Sequence, residues 1–472
     1  MHCVTHLFCV TLQHHRNECM KERVFRRKIY DRLLSWKNEE NGRTALLIEG
    51  ARRIGKSTIV EHFAQKEYET YLLIDFSKAP ESVLRLWDDV SDLNRIFTAL
   101  QLTYHVQLHA GHSLIIFDEV QKCPRARQAI KWLVADGRFH YIETGSLLSI
   151  KRKSRRPYGT DDNILIPSEE KRIKMYPMDY EEFRWALGDT ATIPMLRQAL
   201  SDWTPLGEDV NRRLMRDFRL YMLVGGMPQA VNTYLDTFDF MRVDRVKRTI
   251  LQLYDEDFYD LDTSGKTSMM FRAIPAQLNS NASRYQVSSV IEGSRVERLQ
   301  GQVAILKDSM TSTVATHSND PSAGLSLHQN PNQFKLYCAD TGLFVTLAFW
   351  DSDFTENTIY EKLLGDKLAA DLGYVYENVV AQMLTAAGNR LYYHTWVAES
   401  SRHKYEVDFL LTRKSKICPI EVKSSQSKEH PSIDAFQKKY SSHILSRYML
   451  YTKDFKKEQD LICLPVYMAG LI

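Results

Sequence analysis

Residues 50–57 read Gly50-Ala51-Arg52-Arg53-Ile54-Gly55-Lys56-Ser57, and the way this stretch is flanked decides the fold of the first part of the chain. It follows the apolar run TALLIE (44–49) and opens into STIVEHFA (57–64), so it meets both the spelling GxxxxGK[ST] and the strand–loop–helix setting that a phosphate-binding loop requires. Gly50 and Gly55 let the backbone wrap closely around phosphate, while successive N–H groups and the start of the helix supply positive potential. In that frame Lys56 reaches the β- and γ-phosphates and Ser57 holds magnesium. Arg53 in the loop and Thr58 on the first helical turn are further candidate nucleotide contacts. The cofactors to expect are ATP and Mg2+.

A chance glycine-rich turn is the bland alternative, and a second element argues against it. Leu114-Ile115-Ile116-Phe117-Asp118-Glu119 is an apolar strand that ends in two carboxylates. In a nucleotide hydrolase the first acid, Asp118, organises the magnesium shell, and the second, Glu119, polarises the attacking water. The next strand ends Glu143-Thr144-Gly145-Ser146, where Thr144 or Ser146 is placed to sense the γ-phosphate from between the two loops. Either could equally be a turn residue.

Working outward, TALLIEG, TYLLIDF, HSLIIFDEV and HYIETGS are short apolar runs separated by helical stretches, the pattern of an α/β domain built on a parallel sheet. This P-loop domain is expected over 20–175. Periodicity turns helical over 176–265, where Gly225, Gly226 and Pro228 break one helix, and a helical lid fits. Segment 266–350 carries short helices, a polar loop and FKLYCADTGLFV, and is expected as a winged helix with a linker. The last segment, 351–472, restarts with an amphipathic helix around YVYENVVAQML and the strands LYYHTW, YEVDFLL and CPIEVKS, a separate α/β domain.

The 472 residues exceed what a single core usually organises, and 44% hydrophobic with 26% charged excludes a disordered or fibrous chain. Sixty-two Lys plus Arg against 59 Asp plus Glu give a net charge of +3, so any nucleic-acid footprint must be local. Seven cysteines without CxxC or zinc-type spacing point to a reduced, cytoplasmic protein, and no apolar run is long enough for a membrane span. Residues 1–19 are set apart by their His/Cys content, and Met20 is an alternative start.

In 351–472, Asp408 lies in Tyr-Glu-Val-Asp-Phe-Leu-Leu and Glu421 in Ile-Glu-Val-Lys-Ser-Ser, with the polar TRKSK between them as a hairpin turn. Pairing about that turn sets Asp408 opposite Glu421, and the two-residue strand period points Glu421 and Lys423 to one face. Two such carboxylates can hold a divalent cation against a phosphodiester, with Lys423 orienting water or stabilising developing charge. The same residues could instead form a cross-strand ion pair on a solvated face. Glu406 shares the strand face of Asp408, as a third acid or an exposed one.

GARRIGKS, LIIFDEVQ, ETGSLLS, YPMDYEEF, GGMPQAV, KLYCADTGLF, YENVVAQML and VDFLL…IEVKS, taken in order from about residue 20 to the end, resemble a large family of prokaryotic AAA-type ATPases. Members of that family carry a C-terminal domain similar to restriction endonucleases. The resemblance implies ATP binding and hydrolysis, and it implies a PD-(D/E)xK nuclease core in which Glu377 matches the helical acid and Val407 replaces the leading Pro. AAA relatives use an arginine finger, for which Arg125, Arg127 and Arg138 are candidates, and each could equally be a solvated charge. The basic run Lys151–Arg156 could grip a nucleic-acid backbone or be a solvated loop.

Two functions of different class follow: an ATPase coupled to a nuclease acting on DNA or RNA, or a nucleotide-dependent switch or scaffold whose nuclease-like domain only binds nucleic acid or protein. A protein partner or a homo-oligomer is compatible with either.

Overall fold

The computed structural model describes residues 23–145, 167–280, 282–350, 364–365, 373–398, 404–423 and 431–472. The 1–19 extension, Met20, Ser146 and the basic run 151–156 lie outside these residues.

The strand β1 (Ala45–Glu49) is buried at every position, as are β3 (Ser113–Asp118) and β4 (His140–Gly145). Such continuous apolar runs belong to a parallel sheet covered on both faces. With β2 (Thr70–Asp75) and β5 (Glu170–Lys174) they form an all-parallel sheet in the order β2-β3-β4-β1-β5. Helices α1 (Ile29–Glu40) and α2 (Lys56–Glu67) cover one face, where Leu33, Ile59, Val60 and Phe63 pack with Leu46 and Ile48. Helices α3 (Leu93–Tyr104) and α4 (Pro124–Asp136) cover the other through Ile96, Leu100, Ile130 and Leu133 against Leu47, Ile115 and Phe117. Because β4 intervenes between β1 and β3, the end of β4 projects between the loop after β1 and the acids after β3. The fifth strand, EKRIK, was not among the apolar runs: it is an edge strand, and its alternating charge suits an edge that must resist further pairing.

Five helices follow: α5 (Tyr180–Ala186), α6 (Thr192–Ser201), α7 (Glu208–Val224), α8 (Pro228–Thr237) and α9 (Phe240–Leu261). Asp179 caps α5 in a reciprocal capping box with Glu182, which explains the acidic spelling after Met178. Gly225, at φ 82°, ends α7, and Pro228 starts α8 at its first turn.

Short helices over 266–308 lead to the hairpin β6 (Ser312–Ser318) and β7 (Gln329–Cys338), then α10 (Thr341–Ala348) and α11 (Gly373–Ala386). The hairpin belongs to a larger sheet rather than to a unit of its own. It forms the edge of an eight-stranded sheet with β8 (Tyr392–Val397), β9 (Lys404–Arg413), β10 (Lys416–Val422), β11 (Arg447–Tyr451), β12 (Lys456–Glu458) and β13 (Leu461–Pro465), in the order β12-β13-β11-β10-β9-β8-β6-β7. β6 runs parallel to β8, with Thr316 opposite Tyr392, so the boundary expected at 350 falls within one sheet. Helix α12 (Pro431–Tyr440) packs on this sheet through Phe436 and Tyr440, against Val407, Leu410 and Ile417.

The two sheets are joined by a close interlock of four short motifs. Gly226 receives Met178 N–H on its carbonyl at 2.8 Å and donates its own N–H to Asp340 Oδ2 at 2.5 Å. A Cβ on Gly226 would lie 2.0 Å from the Met178 carbonyl oxygen, and one on Gly342 would lie 2.6 Å from Gly225 Cα, so neither site admits a side chain. Asp340 also caps α10, accepting from Leu343 N–H at 2.9 Å. Gln382 Oε1 accepts from both the backbone N–H and the hydroxyl of Thr341 at 2.8 Å, and its amide donates to Tyr221 Oη, which in turn donates to the Met178 carbonyl at 2.9 Å. Lys247, on α9, closes the joint by donating to the Leu223 and Gly342 carbonyls at 2.8 and 3.2 Å, and burial pushes its pKa down to about 8. Buried polar groups are thus satisfied across the joint, which gives it one geometry.

Candidate functional site

The loop between β1 and α2 has the shape that its spelling requires. At Gly50 a Cβ would sit 2.4 Å from Ile54 Cδ1 and 2.5 Å from the Met175 carbonyl oxygen, and Gly55, at φ 88°, is the residue that turns the chain into α2. Arg53 takes a left-handed conformation at φ 69° with its side chain exposed, and Thr58 is half-buried on the first turn of α2. Lys56 is buried, and its ammonium donates to the carbonyls of Gly50 at 3.0 Å and Ala51 at 2.8 Å. Burial pushes its pKa down to about 8, against the opposing pull of Glu119 and Asp118.

Two of the expected residues converge on one carboxylate oxygen of a third. Ser57 Oγ donates to Asp118 Oδ1 at 2.8 Å, and Thr144 Oγ1 donates to the same oxygen from the end of β4. Strand order explains the meeting, since Asp118 ends β3, Thr144 ends β4 and Ser57 starts the helix after β1. Glu119 follows in a left-handed turn at φ 53°, its carboxylate accepting from the Gln121 side-chain amide.

The helical segment reaches this loop as well. Arg52 Nη1 donates to Asp257 Oδ1 at 2.9 Å, Tyr254 Oη donates to the Arg52 carbonyl at 3.1 Å, and Pro228 stands 3.5 Å from where a Cβ on Gly55 would be. Burial pushes the Asp257 carboxyl up against the pull of Arg52, with Asp260, Glu119 and Glu256 adding their charges. On the other side Arg27 donates to the Ile54 carbonyl at 2.9 Å and the Tyr176 carbonyl at 2.6 Å. Arg27 and Asp257 went unnoticed in the sequence because neither stands at a fixed offset from the loop, and Arg52, though within it, occupies a position whose residue type the motif leaves open.

All three finger candidates are engaged within the chain. Arg127 is 2% exposed and makes a forked pair of 3.0 Å bonds to Glu170, which makes it a buried structural residue. Arg125 pairs with Asp88, and Arg138 with Asp136 and Asn94.

In the second sheet the hairpin turn is Lys414-Ser415, both at positive φ, and the ladder around it pairs Ile420 with Phe409, which brings Asp408 opposite Glu421 one step on. Asp408 Oδ2 accepts from Val422 N–H at 2.8 Å, and Lys423 Nζ lies 2.6 Å from Glu421 Oε1. Glu421 is buried, and its Oε2 has no hydrogen-bond partner among the described residues. Burial, then the charge of Glu377, pushes the Asp408 carboxyl well above the usual carboxylate range, against the pull of Lys335.

Glu377, the third acid of the expected set, is engaged with neighbouring side chains. It accepts from Lys335 at 2.8 Å and from Tyr337 Oη at 2.5 Å, and Lys335 also pairs with Glu406 at 2.5 Å. Among the described residues no group of three or more His, Cys, Asp or Glu side chains is placed to hold a metal ion. Asp408 and Glu421 are flanked by a network in which buried Lys335 pairs with Glu377 and Glu406. Lys335 and Tyr337, the residues that reading the sequence missed here, alternate along β7 and so share a face, but nothing local links them to acids on α11 and β9.

Comparison with known proteins adds the following. Residues 42–184 match the family model of an AAA domain, while 215–353 and 372–468 match two domains of unknown function, DUF8612 and DUF4143. No curated protein matches the chain. Among solved structures it is similar to a Walker-type ATPase of Pyrococcus abyssi, at 18% identity over 69% of this chain and 97% of that one, with a TM-score of 0.41. It is also similar to a signal-transduction ATPase with numerous domains and a tetratricopeptide-repeat sensor from Pyrococcus horikoshii, at 10% identity over 78% of this chain and 49% of that one, with a TM-score of 0.25. A protein from Vibrio cholerae matches at 7% identity over 85% and 94% of the two chains, with a TM-score of 0.17. The parallel sheet and the family match together make residues 42–184 a P-loop ATPase domain of the AAA type. No helix among the described residues is long and apolar enough to cross a membrane.

Proposed function

We propose that the protein is an Mg2+-dependent ATPase whose nucleotide state is passed through the interlocked joint to its C-terminal α/β domain. The observation that carries this reading is the convergence of Ser57 and Thr144 on Asp118 at the N-terminus of α2, with Glu119 next in sequence. Ser57 and Asp118 offer hard oxygen donors, the kind Mg2+ takes, and the ion when bound would neutralise phosphate charge. Around it the chain's own groups have distinct roles. Backbone N–H groups of 53–57 and the Lys56 ammonium hold the phosphates, Glu119 accepts a proton from the attacking water, and Thr144 fixes the Asp118 carboxylate. Lys56→Ala is expected to abolish ATP binding measured by fluorescent-nucleotide titration, and unchanged affinity would overturn the site.

A second reading concerns the C-terminal pair. The buried Glu421 Oε2, unpartnered among the described residues and beside Asp408 and Lys423, favours a divalent cation held there by the two carboxylates, with Lys423 orienting water toward a phosphodiester of DNA or RNA. The test is Mg2+- and Mn2+-dependent cleavage of single- and double-stranded DNA and RNA by wild type and Asp408→Ala, with and without ATP. Cutting that the variant loses supports a nuclease under ATPase control. Cutting in neither, with ATP hydrolysis intact, moves the reading to a nucleotide-dependent switch whose C-terminal domain binds nucleic acid or protein.

A further inference from the structure

A cavity of ≈ 630 Å³ lies where the amino-terminal segment, the stretch following β5 and the C-terminal domain meet. None of residues 50–58 lines it, so it is a separate chamber from the phosphate loop. Its size falls in the range of small-ligand sites, and Ile29, Met175, Tyr180, Ile193 and Met383 give it a buried apolar floor.

The charges on its wall do not cancel. Glu182 is taken by Arg27 Nε at 3.1 Å. Glu181 accepts from Arg197 Nη1 at 2.9 Å and lies 2.8 Å from Lys28, which also pairs with Asp179. Arg172 is paired with Glu170 at 2.8 Å. Every acid lining the chamber is therefore committed, while Arg32 on α1 and Lys174 on β5 line it with no carboxylate partner among the described residues.

Two uncompensated cations above an apolar floor suit a ligand with an anionic head and a flat, apolar body. We propose that this chamber binds a nucleoside monophosphate, its phosphate held by Arg32 and Lys174, at a site distinct from that of the nucleotide on the phosphate loop. Arg27 gives the site reach, because the same guanidinium that lines the chamber donates to the Ile54 carbonyl of the loop. The opposite wall, with Met383, Tyr467, Gly470 and Leu471, belongs to the C-terminal domain. A bound ligand therefore touches both ends of the molecule at once and favours the arrangement in which they are docked.

The test uses the full chain with the phosphate loop saturated by a non-hydrolysable ATP analogue and AMP as the titrant in calorimetry. No hydrolysis is involved, so the result is independent of the catalytic reading above. The expected result is one AMP site that persists under saturating analogue and is weakened about tenfold or more in Arg32→Glu/Lys174→Glu, with analogue affinity unchanged. Three outcomes overturn it: no AMP binding, binding that the charge reversal leaves unchanged, or simple competition between AMP and the analogue, which would make the chamber part of the ATP site. Both substituted residues are exposed, so the variant is expected to fold, and wild-type analogue affinity verifies that it has.

Discussion

Lys56 offers a prediction whose size follows from its surroundings. In the nucleotide-free protein its pKa is pushed down to about 8 by burial. Phosphate binding needs the ammonium, and the polyphosphate in turn holds the proton on, so binding takes up a proton wherever the free loop has lost it. At pH 7 about nine-tenths of the free protein carries a charged Lys56, and at pH 9 about one-tenth, which predicts affinity about tenfold weaker at pH 9, or about 1.4 kcal/mol. The sign is fixed: affinity is full well below pH 8 and is lost as pH rises through it. The ligand contributes little to this change, because a terminal phosphate with a second pKa near ~6 is largely ionised at both values. Fluorescent-nucleotide titration at constant ionic strength measures the profile. Asp257 helps keep Lys56 charged, so Asp257→Asn is expected to move the midpoint to lower pH, and Lys56→Arg, which cannot lose its proton, is expected to flatten the curve. Wild-type dissociation constants that agree within about twofold between pH 7 and pH 9 would refute the reasoning.

Three further outcomes are expected. Glu119→Gln should retain ATP binding but slow hydrolysis by about 10²-fold or more, as loss of a general base does, measured by phosphate release. Gly226→Ala should destabilise the fold by about 2–5 kcal/mol, from backbone overpacking at Met178 and loss of the Asp340 bond, seen as a lower thermal midpoint, and a wild-type midpoint would show that the joint yields easily. Lys335→Met should cost about 3–5 kcal/mol by stranding Glu377 and Glu406, and adding Glu377→Gln should recover part of that loss in a double-mutant cycle by urea unfolding.

The ATPase half was legible in the sequence because its signals are local. The glycines, the lysine and the strand before them stand at fixed offsets, and Asp118 closes an apolar run. The pairing of Asp408 with Glu421 was legible for a similar reason: a two-residue turn fixes the register of both strands. What the sequence hid depends on distant pairing. The stretch 309–333 reads as a polar loop, yet it holds β6, whose place in the sheet is set by β8 some 75 residues on. The pairing of Glu377 with Lys335 was hidden because the two lie 42 residues apart on different elements. The charged EKRIK strand carries no apolar signal, since an edge position rewards charge. The motifs GGMP, YPMDY and ADTG stood out as short glycine- and aspartate-bearing strings, but only their contact in space explains why Gly226 must be glycine and why Asp340 faces it.

That contact bears on how such a chain could be recombined. A chimaera that took its first 350 residues from this protein and the rest from a relative would divide one lock between two parents, since Gln382 beyond the crossover must meet Thr341 and Tyr221 before it. Crossing over between Met178 and Gly226 would separate the two residues whose backbones bond and pack together there. The motifs therefore form a single unit of inheritance spread over some 200 residues, and an exchange of the C-terminal domain is expected to succeed only if the GGMP and ADTG segments travel with it.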